Sequence, residues 1–171
     1  EWTRDALVEA MLRYDIDGYC VDHARYPAPA NLHALIGCGR EECRAEATRL
    51  GYDWERMTRS LRRLRSRLTA LRLEDLRRLS AARPGFWDVI GFLGDDGAVL
   101  EWFYFRARLL SELMAGFGDS VRRAGNPGTV FGSDVFPPSI ALLGGHDYAR
   151  WAEVTDYFTG GSAFGGVVGW A

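Results

Sequence analysis

No lysine occurs in this chain; all 21 of its basic side chains are arginine. Set against 23 acids, they leave a formal net charge of −2, so no global field points to nucleic acid or to an anionic membrane surface. No run approaches the ~20 consecutive apolar residues that span a bilayer. Cysteine is scarce. Cys20, Cys38 and Cys43 make an odd count, which does not build a disulfide framework. The same sulfurs are poor zinc candidates. His33, Cys38 and Cys43, with Cys20 or His23, would have to surround the ion, but the Cys38–Cys43 gap is four residues rather than two and no second pair follows. No metal and no cofactor is expected. Low-complexity tracts are absent as well. There is no initiator methionine, and the last segment, GGVVGWA, has no polar tail. Both ends read as cuts through a longer protein, which leaves the compartment open.

What is present suffices for a core: 171 residues, 47% of them hydrophobic, fit one domain. In residues 2–14, Ala6, Leu7, Ala10, Met11 and Tyr14 recur at three- and four-residue spacing, which predicts a helix with Thr3 as its N-cap. In residues 15–27, DIDGYCVDHARYP, the period drops to two. Tyr19 and Val21 alternate with Gly18, Cys20 and Asp22, and Pro27 then turns the chain. A second strand is expected over 129–136, TVFGSDVF, with Val130, Gly132, Asp134 and Phe136 on one face and Phe131, Ser133 and Val135 on the other. A third follows over 154–159. A long helix over 98–123 carries Trp102, Phe103, Phe105, Leu109, Leu110, Leu113 and Phe117 on its apolar side, and a helical turn covers 146–153. Helix and strand in alternation imply a parallel α/β fold.

Residues 28–97 are too many for a loop between strand and helix. They read as a helical insertion. A short helix over 40–50 ends at Gly51. Asp53 caps a longer one in which Met57, Leu61, Leu64, Leu68 and Leu71 make an apolar seam. Its other face carries Arg56, Arg59, Arg62, Arg63 and Arg67. A second short helix with Leu73, Leu76 and Leu79 stops before Pro84.

Asp22 and Asp134 are the strongest chemical signal. Each lies on the inward face just before a proline-marked turn. Neighbouring strands lie ~4.8 Å apart, so adjacent ends bring two carboxyls to about 5–6 Å, close to the ~5–5.5 Å of retaining glycosidases. One carboxylate then attacks or stabilises a cationic sugar, while the other is protonated and assists the leaving oxygen. The plainer reading gives Asp134 to loop amides or an arginine. Arg25 either clamps a substrate or ties its own loop. His23 either donates to a sugar hydroxyl or, by strand parity, packs against helices. Arg106 either reaches a strand-end carboxylate or is structural. His146 and Asp147 sit in a strand-to-helix loop, Asp147 better placed as an N-cap. Trp54, Trp87, Phe136, Tyr148 and Trp170 either stack on sugar rings or fill the core.

The stretch DIDGYCVDHARYP resembles the motif of a glycoside hydrolase-like family with a (β/α)8 barrel: aspartate, glycine, apolar residues, aspartate, then Arg-Tyr-Pro. EWFYFRARLLSELM, GTVFGSDVFPPS and GHDYARWAEVTDYF follow in the family's order. A whole barrel takes about 250 residues. The resemblance therefore implies a central piece of one: a single domain, 1–171, with about three parallel βα units and residues 28–97 inserted over the C-terminal face. It implies Asp22 and Asp134 as catalytic residues. His23, Arg25, Tyr26, Arg106, Phe136 and His146 are implied to contact a carbohydrate, with the rest of the barrel as the chain's partner. Asp17 matches the motif but falls at the stability end of a barrel. TGGSAFGG stands where the family often has a Pro-Met-x-Tyr run, which bears on substrate class. Two other functions fit the sequence: a silent sugar-binding barrel, and an interaction module using the arginine helix.

Overall fold

The computed structural model describes residues 1–26, 39–82, 88, 97–138 and 140–160. Pro27, His33, Cys38, Pro84, Trp87 and Trp170 lie outside them. In chain order the elements are α1 Trp2–Arg13, β1 Gly18–Val21, α2 Glu41–Arg49, α3 Trp54–Ala70, α4 Leu73–Ala82, α5 Ala98–Ala124, β2 Val130–Val135, α6 Ala141–Gly144, α7 Tyr148–Val154 and β3 Tyr157–Gly160. The fold is mixed α/β, with one parallel three-stranded sheet in the order β1-β2-β3. Among the described residues no helix is long and apolar enough to cross a membrane.

Packing divides the chain into two compact units, Glu1–Pro29 with Arg106–Ala171, and Ala30–Phe105. The helical insertion builds its own core and takes in the first turns of α5. Met57, Leu61 and Leu64 of the α3 seam are buried, as are Trp102 and Phe103. Trp54 packs against Trp102 and Phe105, and Tyr52 against Phe105, at ring separations of 5.8, 6.3 and 5.4 Å. Asp53 caps α3 as its side chain predicts, accepting from the Arg56 amide at 2.9 Å. Thr3 does not cap α1. Glu1 holds that position without a side-chain bond.

The sheet belongs to the other unit. Gly18 pairs with Val130 and Cys20 with Gly132, while Gly132 and Asp134 pair with Tyr157 and Thr159. One sheet face is covered. Phe131 and Val135 are fully buried with Leu7, Met11, Leu110, Met114, Val121 and Trp151, and Tyr19 and Val21 pack on them. Leu113, expected on the buried side of α5, is half exposed. The opposite face carries Gly18, Cys20, Gly132 and Asp134. Two glycines let the backbone close up there. A Cβ on Gly18 would stand 2.4 Å from the Val130 carbonyl oxygen, and one on Gly132 2.5 Å from the Tyr157 ring. β3 begins three residues later than its apolar run suggests, because α7 continues through Val154, and Thr155 donates both its amide and its hydroxyl to the Trp151 carbonyl.

Candidate functional site

The strand register determines the site. Cys20 lies beside Gly132, so two residues further along each strand Asp22 comes level with Asp134. Both carboxylates therefore leave the C-terminal edge on the face opposite the buried cluster. Their nearest ligand-type oxygens lie within 4.8 Å of each other and of a His23 ring nitrogen. The convergence expected from sequence is present.

His23 binds the two acids together. Its φ of 58° is the only positive value outside glycine among the described residues. This left-handed turn ends strand parity, so the imidazole stays at the rim, largely exposed, instead of packing against helices. Its Nδ1 pairs with Asp22 Oδ2 at 2.6 Å. Its backbone N–H donates to Asp134 Oδ1 at 2.7 Å, and its carbonyl accepts from the Arg25 amide at 2.7 Å. Asp134 thus also does what its plainer reading proposed: it holds a loop amide.

Behind the rim lies a dry layer that sequence reasoning assigned to substrate. The His146 side chain is buried, and both ring nitrogens are engaged. Nδ1 accepts from the Phe136 amide at 2.9 Å, and Nε2 donates to the Ala24 carbonyl at 3.0 Å. Acceptance at Nδ1 sets the Nε2–H tautomer. Burial lowers its pKa below the ordinary 6.5. The Ala24 bond and Asp134 oppose that shift, and Arg25 adds to it. The ring accordingly joins the loops after β1 and β2 and has no nitrogen to offer a sugar. Phe136 is likewise 5% exposed. Its ring meets His146 edge-on at 5.5 Å, and the Arg25 guanidinium sits 4.5 Å above its centre. It supports the loop rather than presenting a face to solvent.

Tyr26 and Arg106 form a second stack. The Arg106 guanidinium lies 4.0 Å over the Tyr26 ring. Burial pushes Arg106 down to about 10, which still leaves it charged at neutral pH, and raises the Tyr26 phenol. The Tyr26 amide donates to the Gly144 carbonyl at 2.9 Å, tying the β1 loop to α6. Asp147 caps α7 by accepting from the Ala149 amide at 3.2 Å. The Tyr148 hydroxyl bonds to the Phe136 carbonyl, so that ring too is structural.

One neighbour of the acids was missed. Tyr157 lies across Gly132, on the sheet face that carries Cys20 and Asp134. Partial burial, then Cys20, raises its pKa. The signal was available: Gly132 on the inward face of β2 leaves room for a ring from the adjoining strand.

Asp22, His23 and Asp134 are also the residues that a cation would use. Exposed acids cluster this way without one, and no further feature points to an ion. Cys43 is disulfide-bonded, so it offers no thiolate to a zinc ion. Among the described residues Cys20 is the free thiol.

Comparison of the chain with protein-family models, curated proteins and solved structures finds no match in any of the three.

Proposed function

We propose that this chain is a segment of a (β/α)8 barrel with glycoside hydrolase-like chemistry, acting on an oligo- or polysaccharide through Asp22 and Asp134. The observation that carries the reading is the approach of two strand-end carboxylates to within 4.8 Å on the sheet face opposite the buried cluster. Parallel strands, helices on one face and polar groups at the C-terminal edge fit a barrel wall, whose other face would be the interior. Asp22, the more exposed acid, attacks or stabilises the developing oxocarbenium ion, and the His23 ring orients it. Asp134 is the acid/base. The His23 amide fixes Oδ1, which leaves Oδ2 to carry the proton toward the leaving oxygen.

The test uses the intact protein and a panel of neutral and acidic glycans, with release of reducing ends as the signal. Asp22→Asn should lower turnover by at least about a thousandfold with an unchanged circular dichroism spectrum. Asp134→Asn keeps the Oδ1 acceptor and should lose turnover alone, whereas Asp134→Ala should also loosen the His23 turn. Full activity in Asp22→Asn would end the assignment.

A silent sugar-binding cleft is the second reading, favoured by the engagement of both acids with His23. It predicts calorimetric binding of a glycan with no turnover, and binding that survives either asparagine substitution.

A further inference from the structure

A second candidate site lies wholly within the unit Ala30–Phe105. α2 and α3 flank a groove of about 380 Å³. Four guanidiniums line it, those of Arg40, Arg44, Arg62 and Arg65. Two carboxylates oppose them, Glu41 and Glu55. Only one pairing is made across this set: Arg44 meets Glu55 at 3.1 Å. Arg40, Arg62 and Arg65 have no ion pair among the described residues. Two positive charges in excess, on a protein whose total is negative, concentrate anion attraction in this groove.

The seam of α3 explains the placement. Met57, Leu61 and Leu64 point inward, so Arg62 and Arg65 are turned out on the opposite side. Trp54 lies in the groove wall, half-buried, and its ring is held by Trp102 and Phe105. A rigid aromatic ring beside several guanidiniums offers stacking and bidentate anion recognition together.

We propose that this groove binds an anionic oligosaccharide. Guanidinium pairs take the carboxylate or sulfate groups, Glu41 and Glu55 accept hydroxyl protons, and Trp54 receives a sugar ring. The two glutamates decide against a polyphosphate. A DNA backbone has no free hydroxyl along its length to donate to Glu41 and Glu55, whereas every ring of a sugar chain carries hydroxyls that do, so only the sugar uses both carboxylates as acceptors. The assignment deepens the function proposed above, and its choice of a sugar over other anions rests on that reading.

Binding is measured on the intact protein by calorimetry in 50 mM and 200 mM NaCl. The probes are a carboxylated oligosaccharide (a galacturonate oligomer), a sulfated one (a heparin-derived oligomer), a neutral cello-oligomer and a single-stranded DNA of matched charge. One or both anionic sugars should bind more tightly than the DNA and the neutral oligomer, and weaken on the order of tenfold at the higher salt. The double variant Arg62→Ala/Arg65→Ala should lose about tenfold or more in affinity. Built on Asp22→Asn, whose sheet site is disabled, the double variant should remove the same share of the affinity for these probes. Turnover and groove binding thus fail separately: an inactive protein that still binds through Arg62 and Arg65 leaves this site standing. DNA binding equal to or tighter than the sugars would overturn the proposal. So would affinity that the double variant leaves intact in a folded protein, or the absence of binding.

Discussion

The His146 ring is expected to hold the rim together, and its removal gives the sharpest test of the architecture. Two backbone groups depend on it, the buried Phe136 amide and the partly buried Ala24 carbonyl. Leaving a buried polar group without a partner costs about 1–3 kcal/mol. Losing both should therefore cost about 2–6 kcal/mol, toward the lower end because the Ala24 carbonyl is only partly buried, and still a large share of the roughly 5–15 kcal/mol that typically holds a domain. His146→Phe isolates this term, because it keeps an aromatic ring between Phe136 and Trp151, which lie 5.5 and 5.0 Å from the imidazole. Urea unfolding of both proteins at pH 7.5 gives the difference directly. A loss below about 0.5 kcal/mol would refute the clasp, since packing alone would then account for the site.

The same ring sets a pH dependence whose sign follows from its neighbours. Burial is the largest influence and lowers the folded pKa, Arg25 adds to it, and Asp134 with the Ala24 bond opposes it. Tyr148 and Tyr26, the other titratable groups nearby, stay neutral in this range. The unfolded chain therefore takes up the proton first. Stability is fully present above about pH 6.5 and falls as the pH drops below it, levelling off once the folded pKa is passed. The slope from this one group cannot exceed about 1.4 kcal/mol per pH unit. His146→Phe should remove that slope. A pH profile identical in both proteins would show that the imidazole is not buried neutral.

Two further outcomes follow from the coordinates. Gly18→Ala should destabilise more than Gly132→Ala, because a Cβ at Gly18 meets the Val130 backbone at 2.4 Å while one at Gly132 meets a movable Tyr157 ring at 2.5 Å; equal melting temperatures would contradict this. Alkylation without reductant should label Cys20 and spare Cys43 until a reductant is added, as read by peptide mass spectrometry.

How much of this was legible in the sequence depended on how local each cause is. The Asp53 cap and the Met57-Leu61-Leu64 seam need only neighbours within a turn or two, and both are present. The pairing of Asp22 with Asp134 spans the chain, yet it too was legible, because strand parity and a turn signal fix where each acid leaves the sheet. The supporting layer was not. His146 reaches Ala24 and Phe136 through their backbone groups, and backbone groups carry no residue identity, so no pattern of letters announces the bond. For the same reason Phe136 was read as a sugar platform: parity places it on the inward face, but Val135 is the last residue of β2, and the alternation stops one step before it.

That division bears on what the two acids can do. A carboxylate pair at a rim is useful only if the loops carrying it do not drift, and here three separate ties hold them. The His23 amide anchors Asp134, the Tyr26 amide anchors the β1 loop to α6, and His146 joins that loop to the end of β2. None of the three uses the side chain of either acid's outer oxygen, so the scaffold is rigid without consuming the whole of the reactive groups. If the ties serve the chemistry, loosening them should impair turnover before it impairs binding. His146→Phe would then reduce kcat on a responsive glycan more than it raises KM, because misplacement by even about 1 Å costs the reacting geometry on the order of a hundredfold. A change in KM alone, with kcat preserved, would mean that the layer behind the rim shapes the pocket and nothing more.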